Sequence, residues 1–257
     1  MKVHQIYTGS SLRNFSYIIQ SSDGLSYVVD PYDGRQVLDF IKKIGGALAA
    51  IINTHEHWDH TQGNSEIVRE TKCAVWAHSN AEGKIKGVTR FLEANEIISL
   101  GGDDEIEVLD TPGHTFAHLC LLLRENSKPI AVLTGDTLFN AGVGNCHNGG
   151  DPSVLYETVM TQLKCLPDDV LIYPGHEYLG NNLCFTLDRE PSNQSAKGLL
   201  SKYNSRGDDF MVTNIQIEKE VNTFFRLNNS EIINNLSGET SSPKEVFLRL
   251  RELRNNW

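Results

Sequence analysis

The sequence predicts an α+β protein in two parts. Up to residue 178, apolar runs of strand length alternate with segments of helical period. Beyond that point strand signals thin out, and Asn, Ser, Lys and Glu gather around helical stretches. Potential metal donors also stand just past the ends of several apolar runs.

Strands are expected at 3–7, 15–20, 25–30, 47–53, 74–78, 105–110, 118–123, 130–134 and 170–173, and helices at 36–44, 64–72 and 152–164. The last helix opens Asp151-Pro152-Ser153, a capping residue followed by the proline that suits a first turn. Helices at 195–203 and 243–254 mark the second part. The expected domains are therefore 1–178, carrying the metal chemistry, and 179–257, helical and leaning on the first.

Composition narrows the function classes. The chain has 257 residues, with 23 Lys and Arg against 33 Asp and Glu, a net charge of −10. A chain of this length buries roughly three quarters of its unfolded surface, so its core needs no disulfides. The acidic balance argues against nucleic acid as a partner, which would call for clustered Lys and Arg. No apolar run approaches the ~20 residues of a membrane span; the longest cover 47–52 and 119–123. The first residues lack the apolar stretch of a signal peptide. Five cysteines, with no C-x-x-C pair, read as reduced thiols. A cytoplasmic protein with a small-molecule partner is expected, a monomer by default.

The strongest signal is Thr54-His55-Glu56-His57-Trp58-Asp59-His60. With 9 His in the chain, H-x-H-x-D-H arises in about 6 of 10,000 shuffles of this composition. A polar turn with solvated histidines explains a lone His, but not four ligand-type residues in six positions. Imidazole and carboxylate are the donors of zinc and similar first-row metals. Three further segments repeat the pattern of an apolar strand followed by glycine and a donor: Gly113-His114, Gly135-Asp136 and Gly175-His176. Strand ends are rigid platforms from which loops converge, and glycine lets the chain turn where a side chain would crowd the site. The seven candidates, His55, His57, Asp59, His60, His114, Asp136 and His176, exceed one tetrahedral ion and suit two. Two such ions hold and deprotonate a water, the chemistry of hydrolysis at neutral pH.

These residues resemble the metallo-β-lactamase superfamily and, within it, the glyoxalase II (hydroxyacylglutathione hydrolase) family. The resemblance runs through His55-Glu56-His57-Trp58-Asp59-His60, Thr111-Pro112-Gly113-His114-Thr115, Gly135-Asp136-Thr137-Leu138-Phe139 and Gly175-His176-Glu177-Tyr178. It continues through Asn222-Thr223-Phe224-Phe225-Arg226 and Leu250-Arg251-Glu252-Leu253-Arg254, covering nearly the whole chain. It implies a four-layer αβ/βα sandwich followed by a helical C-terminal domain. It also implies a thioester hydrolase of methylglyoxal detoxification, cleaving S-D-lactoylglutathione to D-lactate and glutathione by a metal-bridging hydroxide. His55, His57 and His114 would hold one divalent ion, and Asp59, His60 and His176 the other. Asp136 would bridge, and Asp59 would also orient the nucleophile. Zinc is expected, with iron or manganese as alternatives. Tyr178, Arg251 and Arg254 would contact glutathione.

One segment departs from the pattern. After Phe139 the family runs through a Gly-Cys-Gly step, a Lys or Arg, and aromatic residues that help bind glutathione. This chain has Ala141-Gly142-Val143-Gly144-Asn145-Cys146-His147-Asn148-Gly149. Asn145 stands where the basic residue would be, and His147 falls in the aromatic region. The loss of one charge partner is worth about 1–3 kcal/mol of carboxylate binding. Two alternatives stay open: a mononuclear iron persulfide dioxygenase, and a metallo-thioesterase or lactonase with a non-glutathione substrate.

Other residues read more plainly. His118 is expected beside the ligands rather than among them, and Glu56 and Trp58 as packing or supporting residues. His4 and His78 read as structural. Gly142-x-Gly144 lacks the third glycine of a dinucleotide fingerprint.

Overall fold

Apolar runs covered on both faces, rather than alternating with polar residues, build two sheets pressed face to face. The computed structural model describes all residues except 208, 237 and 239. The first sheet has the spatial order β1 (Lys2–Tyr7), β2 (Phe15–Gln20), β3 (Leu25–Val29), β4 (Ala47–Ile52), β5 (Ala74–His78) and β6 (Arg90–Leu92). Its first three strands are antiparallel and the rest run parallel to β3. The second sheet is built from β7 (Ile97–Gly101), β8 (Asp104–Asp110), β9 (Leu119–Glu125) and β10 (Lys128–Gly135). A small hairpin, β11 (Leu138–Phe139) and β12 (Gly142–Val143), follows β10. Then β13 (Leu171–Pro174) pairs parallel with β10, and β14 (Thr213–Asn214) closes the edge antiparallel to β13.

The pleat sends alternate residues of β9 to different layers. Leu119, Leu121 and Leu123 meet Tyr17, Ile19, Val29 and Ile52 between the sheets. Cys120 and Leu122 face the helices outside. On the outer face of the first sheet, α1 (Gly34–Ile44) packs Val37, Leu38 and Ile41 against Ile18, Val28 and Ile51. The single turn α2 (Trp58–Thr61) leads into α3 (Asn64–Thr71), whose Ile67 joins that cluster. Outside the second sheet, α4 (Pro152–Thr158) is prolonged by π-helical turns at Val159–Leu163. Asp151 caps it, accepting from the amides of Ser153 at 2.7 Å and Val154 at 3.0 Å. The result is the four-layer αβ/βα sandwich that the resemblance implies.

After β13 the chain continues through α5 (Leu179–Arg189), α6 (Gln194–Ser205), β14, α7 (Ile215–Val221), α8 (Ser230–Asn234) and α9 (Pro243–Asn255). This tail is fused to the sandwich: its Phe224, Phe225, Phe247 and Leu250 share one core with Leu122, Val132 and Ile172. A polar staple ties it to the β11–β12 turn. The buried Glu218 accepts from the Ala141 amide (2.8 Å), the Thr213 hydroxyl (2.7 Å) and the Asn222 amide (2.8 Å). Burial outweighs these three donors and pushes the Glu218 carboxyl up to about 7. Among the described residues no helix is long and apolar enough to cross a membrane.

Candidate metal centre

The donors arrive from the same end of both sheets. Past β4 the chain bends at Thr54 and His55 and is extended at His57, the residue before α2. It then turns into α2, which carries Asp59 and His60. The Asn53 side-chain amide donates to the His60 carbonyl at 2.9 Å and holds this switch closed. From the second sheet, His114 follows β8, Asp136 follows β10 and His176 follows β13.

All seven come together. His57 Nδ1 lies 3.0 Å from His55 Nε2 and 3.0 Å from His114 Nε2. His60 Nε2 lies 3.3 Å from His176 Nε2, and Asp59 Oδ2 lies 3.6 and 3.5 Å from those two atoms. Asp136 stands between the groups, with Oδ2 3.5 Å from His114 Nε2 and 3.2 Å from His176 Nε2, and Oδ1 3.4 Å from His60 Nε2. Nitrogen atoms facing one another at such distances cannot all be joined by protons. A tetrahedral ion with bonds of about 2.0–2.1 Å spaces its donors roughly 3.3 Å apart, so the set fits first-row metals. Asp136 Oδ1 makes the same point, being buried without a hydrogen bond.

Each imidazole is held by its other nitrogen, as metal-binding histidines are. His55 Nδ1 meets Thr54 Oγ1 at 3.0 Å, and His57 Nε2 meets the Asn148 carbonyl at 3.1 Å. The Nδ1 atoms of His114 and His176 meet the carbonyls of Asn145 (2.6 Å) and Leu12 (2.8 Å). His60 Nδ1 donates to Asp30 Oδ2 at 2.9 Å. Asp30 also lies in a second possible donor group, with His55 and His60. Its oxygens, however, already accept from the Thr54 amide (2.7 Å) and hydroxyl (2.6 Å), which makes it the support of His60. The sequence reading missed Asp30, although it ends the run 25–29 just as the other donors end theirs. Asn14 was missed too; its side-chain amide donates to Asp59 Oδ2 at 2.9 Å.

Burial lowers the pKa of His55 well below its usual value, and lowers that of His114, so both stay neutral and free to donate a lone pair. At His60 burial is outweighed by the carboxylates of Asp136 and Asp30, and its pKa rises well above the ordinary value. Asp136 is likewise held well below the usual carboxylate range: burial is outweighed by His176 and His60. Buried carboxylates facing buried imidazoles form a concentrated negative pole that a cation satisfies.

Two glycines leave the room this requires. Gly135 adopts φ +46°, and a Cβ there would sit 2.6 Å from Thr54 Oγ1 and 2.7 Å from His118 Nε2. A Cβ on Gly175 would run into Asp136 Oδ1 and lie 2.9 Å from His60 Cε1. His118 supports the loop, its Nε2 accepting from the Asp136 amide at 3.1 Å. Glu56 accepts from Lys84 Nζ and the Thr115 hydroxyl, each at 2.8 Å. Trp58 is 59% exposed and packs into no core.

Beside the centre lies a cleft of about 260 Å³, lined by Phe139, Asn145, His147, Tyr178, Arg251 and Arg254 among others. It brings together all five residues expected at the substrate. Arg251 is buried and donates Nη1 to the carbonyls of Val143 (2.7 Å) and Gly144 (3.1 Å); burial lowers its pKa to about 10. Arg254 is half-buried and donates to Asn182 Oδ1 at 3.3 Å. Tyr178 stacks on His176 with ring centroids 5.0 Å apart, and burial raises its hydroxyl to about 12.

Comparison with known proteins bears on the family and the fold. The sequence model of the metallo-beta-lactamase superfamily matches residues 12–176, and that of the hydroxyacylglutathione hydrolase C-terminus matches 177–257. A hydroxyacylglutathione hydrolase of Nitrosococcus oceani is 48% identical, with both chains covered in full. The cytoplasmic hydroxyacylglutathione hydrolase of Arabidopsis thaliana is 32% identical over 95% of each chain. Among solved structures, ETHE1 from Myxococcus xanthus superposes with a TM-score of 0.68 at 24% identity, covering 99% of this chain and 98% of its own. A di-iron-bound form of TTHA1623 superposes with a TM-score of 0.60 at 22% identity, over 86% of this chain and 99% of its own. At such identities the two structures speak for the fold alone. By sequence over its full length, the chain belongs to the hydroxyacylglutathione hydrolase family of the metallo-β-lactamase superfamily.

Proposed function

We propose that this chain hydrolyses a glutathione thioester, S-D-lactoylglutathione, to D-lactate and glutathione, with two divalent ions, zinc, as cofactor. The observation that carries this reading is the pair of abutting donor groups sharing Asp136. His55, His57 and His114 would hold one ion, Asp59, His60 and His176 the other, and Asp136 both. Bound there, the ions would supply Lewis acidity and a water acidic enough to react at neutral pH. The chain's own part is to hold five imidazoles in one tautomer through Thr54, Asn148, Asn145, Leu12 and Asp30. Asn14 orients Asp59, whose Oδ2 faces the shared space. A thiol pKa of about 8.5 makes the thiolate a ready leaving group at neutral pH, so no separate general acid is needed.

We divide the labour near residue 178, with 1–178 carrying the donors and 179–257 supplying Arg254 for a carboxylate of the carrier, while Arg251 holds the Val143–Gly144 turn that borders the cleft. A reading with one iron would leave Asp59, His60 and His176 without a role. The name of the Arabidopsis relative supports a cytoplasmic site of action. The test is release of free thiol from S-D-lactoylglutathione by protein of known metal content. Asp136→Ala should abolish turnover; near-normal turnover with both ions retained would sink the bridging role.

A further inference from the structure

The loop between β1 and β2 is fastened to the segment that bears His176. The Leu12 carbonyl accepts from His176 Nδ1 at 2.8 Å and from the Tyr178 hydroxyl at 3.2 Å. The Arg13 carbonyl accepts from the Glu177 amide, and the Phe15 amide donates to Gly175, at 2.9 and 2.8 Å. These bonds hold Arg13 at φ +61°, a left-handed conformation uncommon for a side chain of this kind. Its guanidinium carbon rests 5.0 Å from the centroid of the Tyr178 ring. Among the described residues, no ion pair or side-chain hydrogen bond engages this half-buried cation.

Tyr178 borders the cleft beside the metal centre, and among the described residues none that lines the cleft is acidic. Arg251 is turned into the carbonyls of Val143 and Gly144, which leaves Arg254 as the lining guanidinium that is open to a ligand. Arg13 approaches this cleft through the Tyr178 ring, on which it rests and which lines the cleft together with Arg254; burial, the main cause, and the Arg13 charge both lower the pKa of Arg254. One guanidinium on the Tyr178 ring and another lining the same cleft as that ring, with no acidic residue among the described lining, on a chain of net charge −10, are matched to an anion. The planar fork of Arg suits a carboxylate in particular, and packing on the Tyr178 ring restricts where the fork can go.

We propose that Arg13 determines specificity for the substrate's thiol carrier: with Arg254 it holds a carboxylate of that carrier beside the Tyr178 ring. This rests on the glutathione thioester reading above. The test uses full-length, metal-loaded protein and two lactoyl thioesters, one of glutathione and one of N-acetylcysteamine, which carries no carboxylate. Arg13→Gln keeps the backbone requirement unchanged and removes the charge. We expect kcat/KM for the glutathione thioester to fall about 5- to 20-fold, mostly through KM, with the N-acetylcysteamine thioester unaffected. Arg13→Lys should recover part of the loss. Calorimetry with S-methylglutathione, which is not hydrolysed, should show a matching loss of affinity.

An equal fall on both thioesters would reduce Arg13 to a fastening of the loop and overturn the proposal. No change on either would overturn it as well. The parent reading fails separately: wild-type protein that binds S-methylglutathione through Arg13 but does not turn over the glutathione thioester sinks the activity alone. Wild-type protein that does not bind S-methylglutathione sinks both.

Discussion

Asp30 is a sensitive handle on the centre because it stands outside the seven donors and still sets the state of one. Asn at this position tolerates the φ of +50° that Asp30 adopts, so Asp30→Asn leaves the backbone in place. The amide oxygen would still accept the Thr54 amide, now bound at 2.7 Å. The new NH2 group would replace the oxygen that serves His60 Nδ1 at 2.9 Å and the Thr54 hydroxyl at 2.6 Å. An amide donating to Nδ1 drives the imidazole proton to Nε2, the atom that must offer its lone pair to a cation. Reversing that tautomer breaks the new bond and sets two donors face to face. The cost is about 1.4–2.8 kcal/mol, or roughly 10- to 100-fold in metal affinity. Competition with a chromophoric chelator measures this directly. One of two ions should weaken by that factor while the other holds, with thermal unfolding reporting an intact fold. Wild-type affinity at both positions, within twofold, would refute the argument that Asp30 fixes the His60 tautomer.

Other consequences can be checked on the same preparations. Gly175→Ala pushes a methyl group against Asp136 and His60; it should lower metal occupancy severalfold at a stability cost of about 1–3 kcal/mol, readable by metal analysis and urea unfolding. Removing the ions with a chelator should lower Tm by about 5–10 °C when free metal had stood near 100 times Kd; an unchanged Tm would mean that no ion binds the folded state. Glu218 gives a pH signature distinct from the metal donors. Its folded carboxyl is raised to about 7 from 4.5, so the native state holds the extra proton between those values. Stability from this group is full below about pH 4.5, and about 3 kcal/mol is lost as pH rises through 7. Glu218→Gln stays neutral throughout, so its stability relative to wild type should improve by that amount between pH 4.5 and 8; parallel denaturation profiles would refute this.

Four donors were legible as one dense motif, His55 to His60, and the other three, His114, Asp136 and His176, because each stands just past a run of apolar residues long enough to be a strand. The same cue was present at Asp30, yet Asp30-Pro31 read as a plain strand end, since nothing local says that Thr54 and His60 will fold against it. Strands β6 and β7 escaped notice because Arg90–Leu92 and Ile97–Gly101 are short and flanked by charge. Helix α5 did too, for Gly180, Asn181 and Asn182 weaken its first turns. Arg251 and Arg254 of α9 look alike in sequence, one turn apart. Packing of Val246, Phe247 and Leu250 turns Arg251 inward to backbone carbonyls and leaves Arg254 at the cleft. That distinction depends on the helix's rotation against its neighbours, which spacing alone does not set.

The most direct test of the account is to titrate metal-free protein with zinc while following loss of the thioester absorbance of S-D-lactoylglutathione. Activity that climbs to a plateau at about two ions per chain is the predicted result. A plateau at one ion per chain, or two bound ions with no thioester cleavage, would contradict it.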